Sequence, residues 1–125
     1  MVERVSEEIT FRKLEILLAY MQAGRVDEAA ASYAEALRID PGMAEASNNL
    51  GIILCRSGHV AEGIDRIRAA LRAQPDFVQA HFALGTALLQ SGNREEAVRE
   101  YRRVLELSPG DPSATRMLQM IGSAP

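Results

Sequence analysis

The chain has 125 residues, 47% hydrophobic and 25% charged, the balance of an ordinary globular protein rather than a disordered, collagenous or membrane-spanning one. Fourteen basic residues against seventeen acidic give a net charge of −3, so neither nucleic acid nor an anionic membrane is the expected partner; three Phe, three Tyr and no Trp also leave few platforms for stacked bases. A single cysteine, Cys55, makes no internal disulfide and holds no zinc by itself, and the acidic N-terminal octet lacks the apolar run of a secretory leader, so a cytoplasmic setting is expected.

A period of 34 residues organises the chain: Pro41, Pro75 and Pro109 recur at that step, as do Gly24, Gly58 and Gly92, and Tyr33, Ile67 and Tyr101. Ala29, Gly63 and Ala97 keep it too, with Ala36, Ala70 and Val104, and Leu50-Gly51 returns as Leu84-Gly85. One domain spanning 1–125 is therefore expected, with repeats at about 10–43, 44–77 and 78–111.

Residues 1–9 are expected to lengthen the first helix, with Val2, Val5 and Ile9 on one side. In the first unit Gly24 stands where a turn is due. In the second, apolar spacing predicts a helix over 43–57 presenting Ser47, Leu50, Gly51 and Leu54, and another over 60–73 presenting Gly63, Ile67 and Ala70. Gly58 separates them, because glycine takes the left-handed helix-ending conformation without a Cβ clash. Proline then stops the second helix at Gln74-Pro75-Asp76. The third unit repeats this with Gly92 and Pro109, so each unit reads as a helical hairpin. Asp111 as N-cap and Pro112 at the first helical position open a last short helix, about 112–121, over the exposed face of the final repeat.

These residues resemble the tetratricopeptide repeat (TPR). The third unit carries that pattern in Leu84-Gly85, Ala97, Tyr101 and Pro109, with Val104 in place of Ala. The second keeps Leu50-Gly51, Ala70 and Pro75 but has Gly63 and Ile67 in place of Ala and an aromatic. The first keeps Ala29, Tyr33, Ala36 and Pro41, with Leu17 for the small residue, and Lys13, Ser47 and His81 stand where the family has Trp. The resemblance implies an all-α fold, a right-handed superhelical stack of antiparallel helix hairpins, with ligands held on a concave face lined by the first helix of each unit.

On that face the resemblance places Leu14 and Leu18, then Asn48, Asn49, Ile52 and Arg56, then Gln79, Phe82 and Thr86. Relatives that clasp a partner's C-terminal carboxylate use lysine, arginine and asparagine at these places. Here only Asn49 fits, since Leu14, Leu18, Gln79 and Ala83 occupy the others. An apolar stripe with amide edges suits an amphipathic helix or an apolar peptide, so a protein-interaction module or adaptor is expected. The alternatives are a self-assembling scaffold, a homo-oligomer joined through Met117 and Met120 of the thin cap, or the non-catalytic repeat region of a larger enzyme.

Catalysis is not expected. His59 follows a turn, His81 occupies a packing place between helices, and no nucleophile, base and orienting acid share a motif. The glycines serve turns and close contacts rather than a phosphate loop, and no metal-ligand spacing is present, so no cofactor or metal is expected. The second helices carry the charge, with Glu95–Arg99 and Arg102–Glu106 at ion-pair spacing on a solvated convex face.

Overall fold

The computed structural model describes the backbone of residues 2–123 and the side chains of residues 15–122, except those of 17, 20 and 21. Among the described residues it is all-helical: α1 (Val2–Ile39), α2 (Ala44–Arg56), α3 (Val60–Ala73), α4 (Val78–Gln90), α5 (Arg94–Leu107) and α6 (Pro112–Ser123). The chain divides into two units, Met1–Ser32, of which residues 2–32 lie within α1, and Tyr33–Pro125, which holds the end of α1 and the other helices. In the second unit, neighbouring helices pack pairwise, α2 on α3, α3 on α4, α4 on α5 and α5 on α6.

Local chemistry places the breaks. After α2, Gly58 takes φ +91°; its N–H donates to Cys55 O at 3.2 Å, and the His59 N–H donates to Leu54 O at 2.8 Å. After α4, Gly92 takes φ +86°, with Gly92 N–H to Leu89 O at 3.0 Å and Asn93 N–H to Leu88 O at 2.8 Å. Both are the paired bonds that satisfy a helix's last carbonyls around a left-handed glycine. Gln74 (φ −142°, ψ 85°) and Ser108 (φ −136°, ψ 81°) leave the helical conformation at the ends of α3 and α5, the α region being disfavoured before proline. Asn93 then caps α5 by accepting from Glu96 N–H at 3.4 Å, and Asp111 caps α6 by accepting from Ala114 N–H at 2.9 Å.

The first unit departs from the predicted hairpin. α1 runs unbroken through Gly24, which is not among the glycines of positive φ. Its neighbours explain this. Ser57 and Ser91 precede the two turning glycines and donate through Oγ to Ile53 O and Leu88 O, each at 2.9 Å, and Asn93 follows as a cap. Around Gly24 stand Ala23 and Arg25, strong helix formers with no capping oxygen. A glycine within a helix costs roughly 1 kcal/mol relative to alanine, too little to break it alone.

The core of the second unit is built on small residues at helix crossings. A Cβ on Gly51 would stand 2.7 Å from the Ile67 side chain, and one on Gly85 would stand 2.9 Å from the Tyr101 ring. Tyr101, Ile67 and Val104 are completely buried, flanked by Ala70, Ala80, Ala97 and Ala114. Ser47 is buried as well and donates through Oγ to Arg66 O at 2.6 Å, linking α2 to α3. His81 is in the packing place that the sequence predicts, with Nδ1 2.7 Å from Glu100 Oε2 and Nε2 2.7 Å from Pro75 O. On the charged helices, Glu106 pairs with Arg103 at 2.8 Å rather than with Arg102, and Arg68 reaches Glu96 at 3.3 Å across α3 and α5.

Candidate functional site

The first helices of the second and third repeats, α2 and α4, put every third or fourth side chain on a common face. Between them lies a cavity of about 440 Å³. Ile52 and Cys55 of α2 with Val78, Phe82, Ala83 and Ala87 of α4 make its apolar wall. Arg56, Gln79, Thr86 and Gln90 add polar groups, and Asp111 and Ser113 close it from the turn into α6.

The wall is stiffened from behind. The Phe82 ring packs edge-on to Tyr101, with centroids 5.2 Å apart and planes at 62°. Thr86 Oγ1 is 2.9 Å from the Tyr101 hydroxyl, and Gln90 Nε2 donates to Cys55 O at 3.1 Å, tying α4 to α2. Burial pushes the Tyr101 phenol up from its ordinary pKa, opposed in part by the Thr86 hydrogen bond, and burial pushes the Cys55 thiol up. A thiol so placed is a packing group, because its reactive thiolate is disfavoured.

A second hollow, about 540 Å³, lies at the N-terminal ends of the same helices. Glu45, Asn48 and Asn49 of α2, Gln74, Asp76 and Phe77 of the α3–α4 turn, and Val78 and Gln79 of α4 line it. Val78 and Gln79 border both hollows.

Of the residues expected on the concave face, Ile52, Arg56, Gln79, Phe82 and Thr86 line the first cavity, and Asn48, Asn49 and Gln79 the second. Asn48 differs from expectation in being only 2% exposed, with its Oδ1 buried and without a hydrogen-bond partner. The side chain of Leu14 lies outside the described residues; Leu18 is exposed in the Met1–Ser32 unit. Met117 is partly buried against the core, and Met120 is exposed. Counting along the first helices missed Val78 and Ala87, and Ile67, Val104, Asp111 and Ser113 join the lining from other elements. The signal for Asp111 and Ser113 was the Asp111-Pro112 helix start, which carries the chain past the end of the groove.

Among the described residues no three metal-ligating side chains cluster, and no helix is long and apolar enough to cross a membrane. No curated protein sequence matches the chain. Among solved structures it is similar to the first TPR of Spaghetti (RPAP3) bound to the HSP90 peptide SRMEEVD, at 28% identity and TM-score 0.76 over 82% of each chain. The first TPR domain of human RPAP3 is similar at the same identity and TM-score, over 82% of this chain and 81% of that one. MamA shares the fold at 22% identity and TM-score 0.74, over 82% of this chain and 60% of its own. The TPR repeat pattern matches residues 18–58, and the tetratricopeptide repeat profile matches residues 49–112, more than half of the sequence. With glycine and proline turns recurring every 34 residues and the helices between them packed in adjacent pairs, the chain belongs to the tetratricopeptide repeat family.

Proposed function

We propose that this protein is an interaction module whose α2–α4 groove takes an apolar segment of a partner protein, an amphipathic helix or an uncharged extended peptide. The observation that carries the reading is the groove's chemistry: an apolar wall centred on Ile52 and Phe82, edged by the amides of Gln79 and Gln90, with Arg56 the one cation among the described residues that line it. The similar RPAP3 domain is bound to SRMEEVD, a peptide ending in three acids out of four. Such a ligand calls for several cations, whereas an apolar helix face calls for the wall found here.

Two labelled peptides test this by fluorescence anisotropy: an amphipathic helix with a leucine face and no net charge, and SRMEEVD. The helix is expected to bind and to lose at least tenfold in affinity on Ile52→Glu or Phe82→Glu, roughly the cost of facing an apolar contact with an unpaired charge. Tighter binding of SRMEEVD, or no response to either substitution in a folded variant, overturns the reading. A second reading, self-assembly through the C-terminal end, rests on the exposed Met120 alone.

A further inference from the structure

Within the second unit, each first helix buries its inner face on the helix that follows. Leu50 of α2 is 8% exposed and Leu84 of α4 is 4% exposed, and their mates Ile67 and Tyr101 are completely buried. The residue 34 positions earlier, Ile16, is 57% exposed. Tyr33, in register with Ile67 and Tyr101, is only half-buried. Thus α1 carries the sequence of both faces of a repeat hairpin, one in residues 10–23 and one in 26–39, and in one unbroken helix Leu17 and Ala29 stand twelve residues, about 18 Å, apart.

We propose that a second copy of this chain covers them, two α1 helices lying antiparallel so that residues 10–23 of each pack on residues 26–39 of the other. Three observations meet in this arrangement. The mating faces are those already paired in α2–α3 and α4–α5, so the contact is an exchanged repeat hairpin rather than a new surface. Gly51 meets Gly63 in the second repeat, and the corresponding pair is Leu17 with Ala29; an antiparallel pairing with that offset crosses close to Gly24, where an added Cβ would meet nothing within 4 Å. The halves also differ in charge: residues 10–23 hold Arg12 and Lys13 against Glu15, and residues 26–39 hold Asp27, Glu28 and Glu35 against Arg38. Antiparallel pairing sets the basic half on the acidic half twice, closing a two-fold dimer.

The proposal is independent of the groove reading, and its test leaves Ile52 and Phe82 untouched. Light scattering of the full chain over about a hundredfold dilution is expected to give twice the 13.7 kDa chain mass at the concentrated end, falling toward one chain on dilution. Gly24→Ala, which strengthens the unbroken helix in both copies, lowers the dissociation constant about tenfold. Ala23→Ser with Arg25→Asn copies the Ser91-Gly92-Asn93 turn, lets each chain close on itself and gives a monomer. Leu17→Cys and Ala29→Cys, made in separate chains that also carry Cys55→Ala, form a disulfide between chains when mixed. A wild-type mass of one chain throughout, or a bond that forms only within a chain carrying both cysteines, overturns the proposal in favour of an ordinary hairpin. A dimer abolished by Met120→Glu but not by Ala23→Ser with Arg25→Asn overturns it in favour of the C-terminal end.

Discussion

Gly51 and Gly63 face each other across the crossing of α2 and α3, so close that a Cβ on Gly51 would stand 2.8 Å from Gly63 O and one on Gly63 would stand 2.7 Å from Gly51 O. A Cβ at Gly63 would also strike Cys55 Sγ. Both obstacles lie in the packed crossing, where no flexible chain end can swing aside. Forcing a methyl group into such a contact costs about 1–3 kcal/mol, against roughly 1 kcal/mol gained in helix propensity. Gly63→Ala is therefore expected to lower stability by about 1 kcal/mol in urea unfolding, the middle of that difference. An unchanged or higher midpoint would show that the helices separate at little cost.

His81 links three elements: it sits on α4, meets Glu100 of α5 at 2.7 Å and meets the Pro75 carbonyl of the α3–α4 turn at 2.7 Å. Removing the ring leaves the partly buried Glu100 carboxylate and the exposed Pro75 carbonyl without it. His81→Ala is expected to cost about 1–3 kcal/mol, and Glu100→Ala less because the Pro75 contact survives. Equal losses in chemical denaturation would place the energy in the Glu100 contact alone.

The buried Tyr101 and Cys55 give the protein an alkaline weakness. Burial raises both acids, so their neutral forms belong to the folded state. Their contribution is whole below the ordinary values of 9.0 for the thiol and 10.0 for the phenol, and is lost as pH climbs through the higher folded values. The thermal midpoint is expected to fall above about pH 9. Tyr101→Phe keeps the ring against Phe82 and removes one ionisation, so its midpoint falls less steeply; a parallel decline would assign the effect to other groups.

Asn93 closes the first turn of α5, accepting from Glu96 N–H while its own Nδ2 donates to Glu96 Oε2 at 3.0 Å. Asn93→Ala is expected to cost about 1 kcal/mol. Amide exchange at Glu96 should quicken before that of the α5 interior, and an unaltered Glu96 amide would mean that the backbone turn at Gly92 holds the helix end without the cap.

Much of the fold was legible because its punctuation is local. Gly58, Gly92, Pro75, Pro109 and Asp111 act on the few residues beside them, and helices break where those residues stand. Gly24 shows the limit of the same reasoning: the glycines that turn the chain after α2 and α4 each follow a serine whose Oγ bonds back into the helix, and Gly24 follows Ala23, which has no such group. The site was legible to the extent that position along one helix decides exposure. Ile52, Phe82 and Thr86 border the groove as their register predicts. Asn48 does not follow its register, being buried, and the groove's far wall comes from the turn into α6.

The sequence by itself determined the period, the all-helical class, the breaks at the capped glycines and prolines of the second and third repeats, and the scarcity of cations along the expected groove, because each follows from residue type and spacing. Only the tertiary structure decided which side chains share a wall, that His81 bridges Glu100 and Pro75, and that Ile16 and Leu18 of α1 stand exposed. Those relations join residues on different helices, and their energy exists only once packing has removed water between the helices.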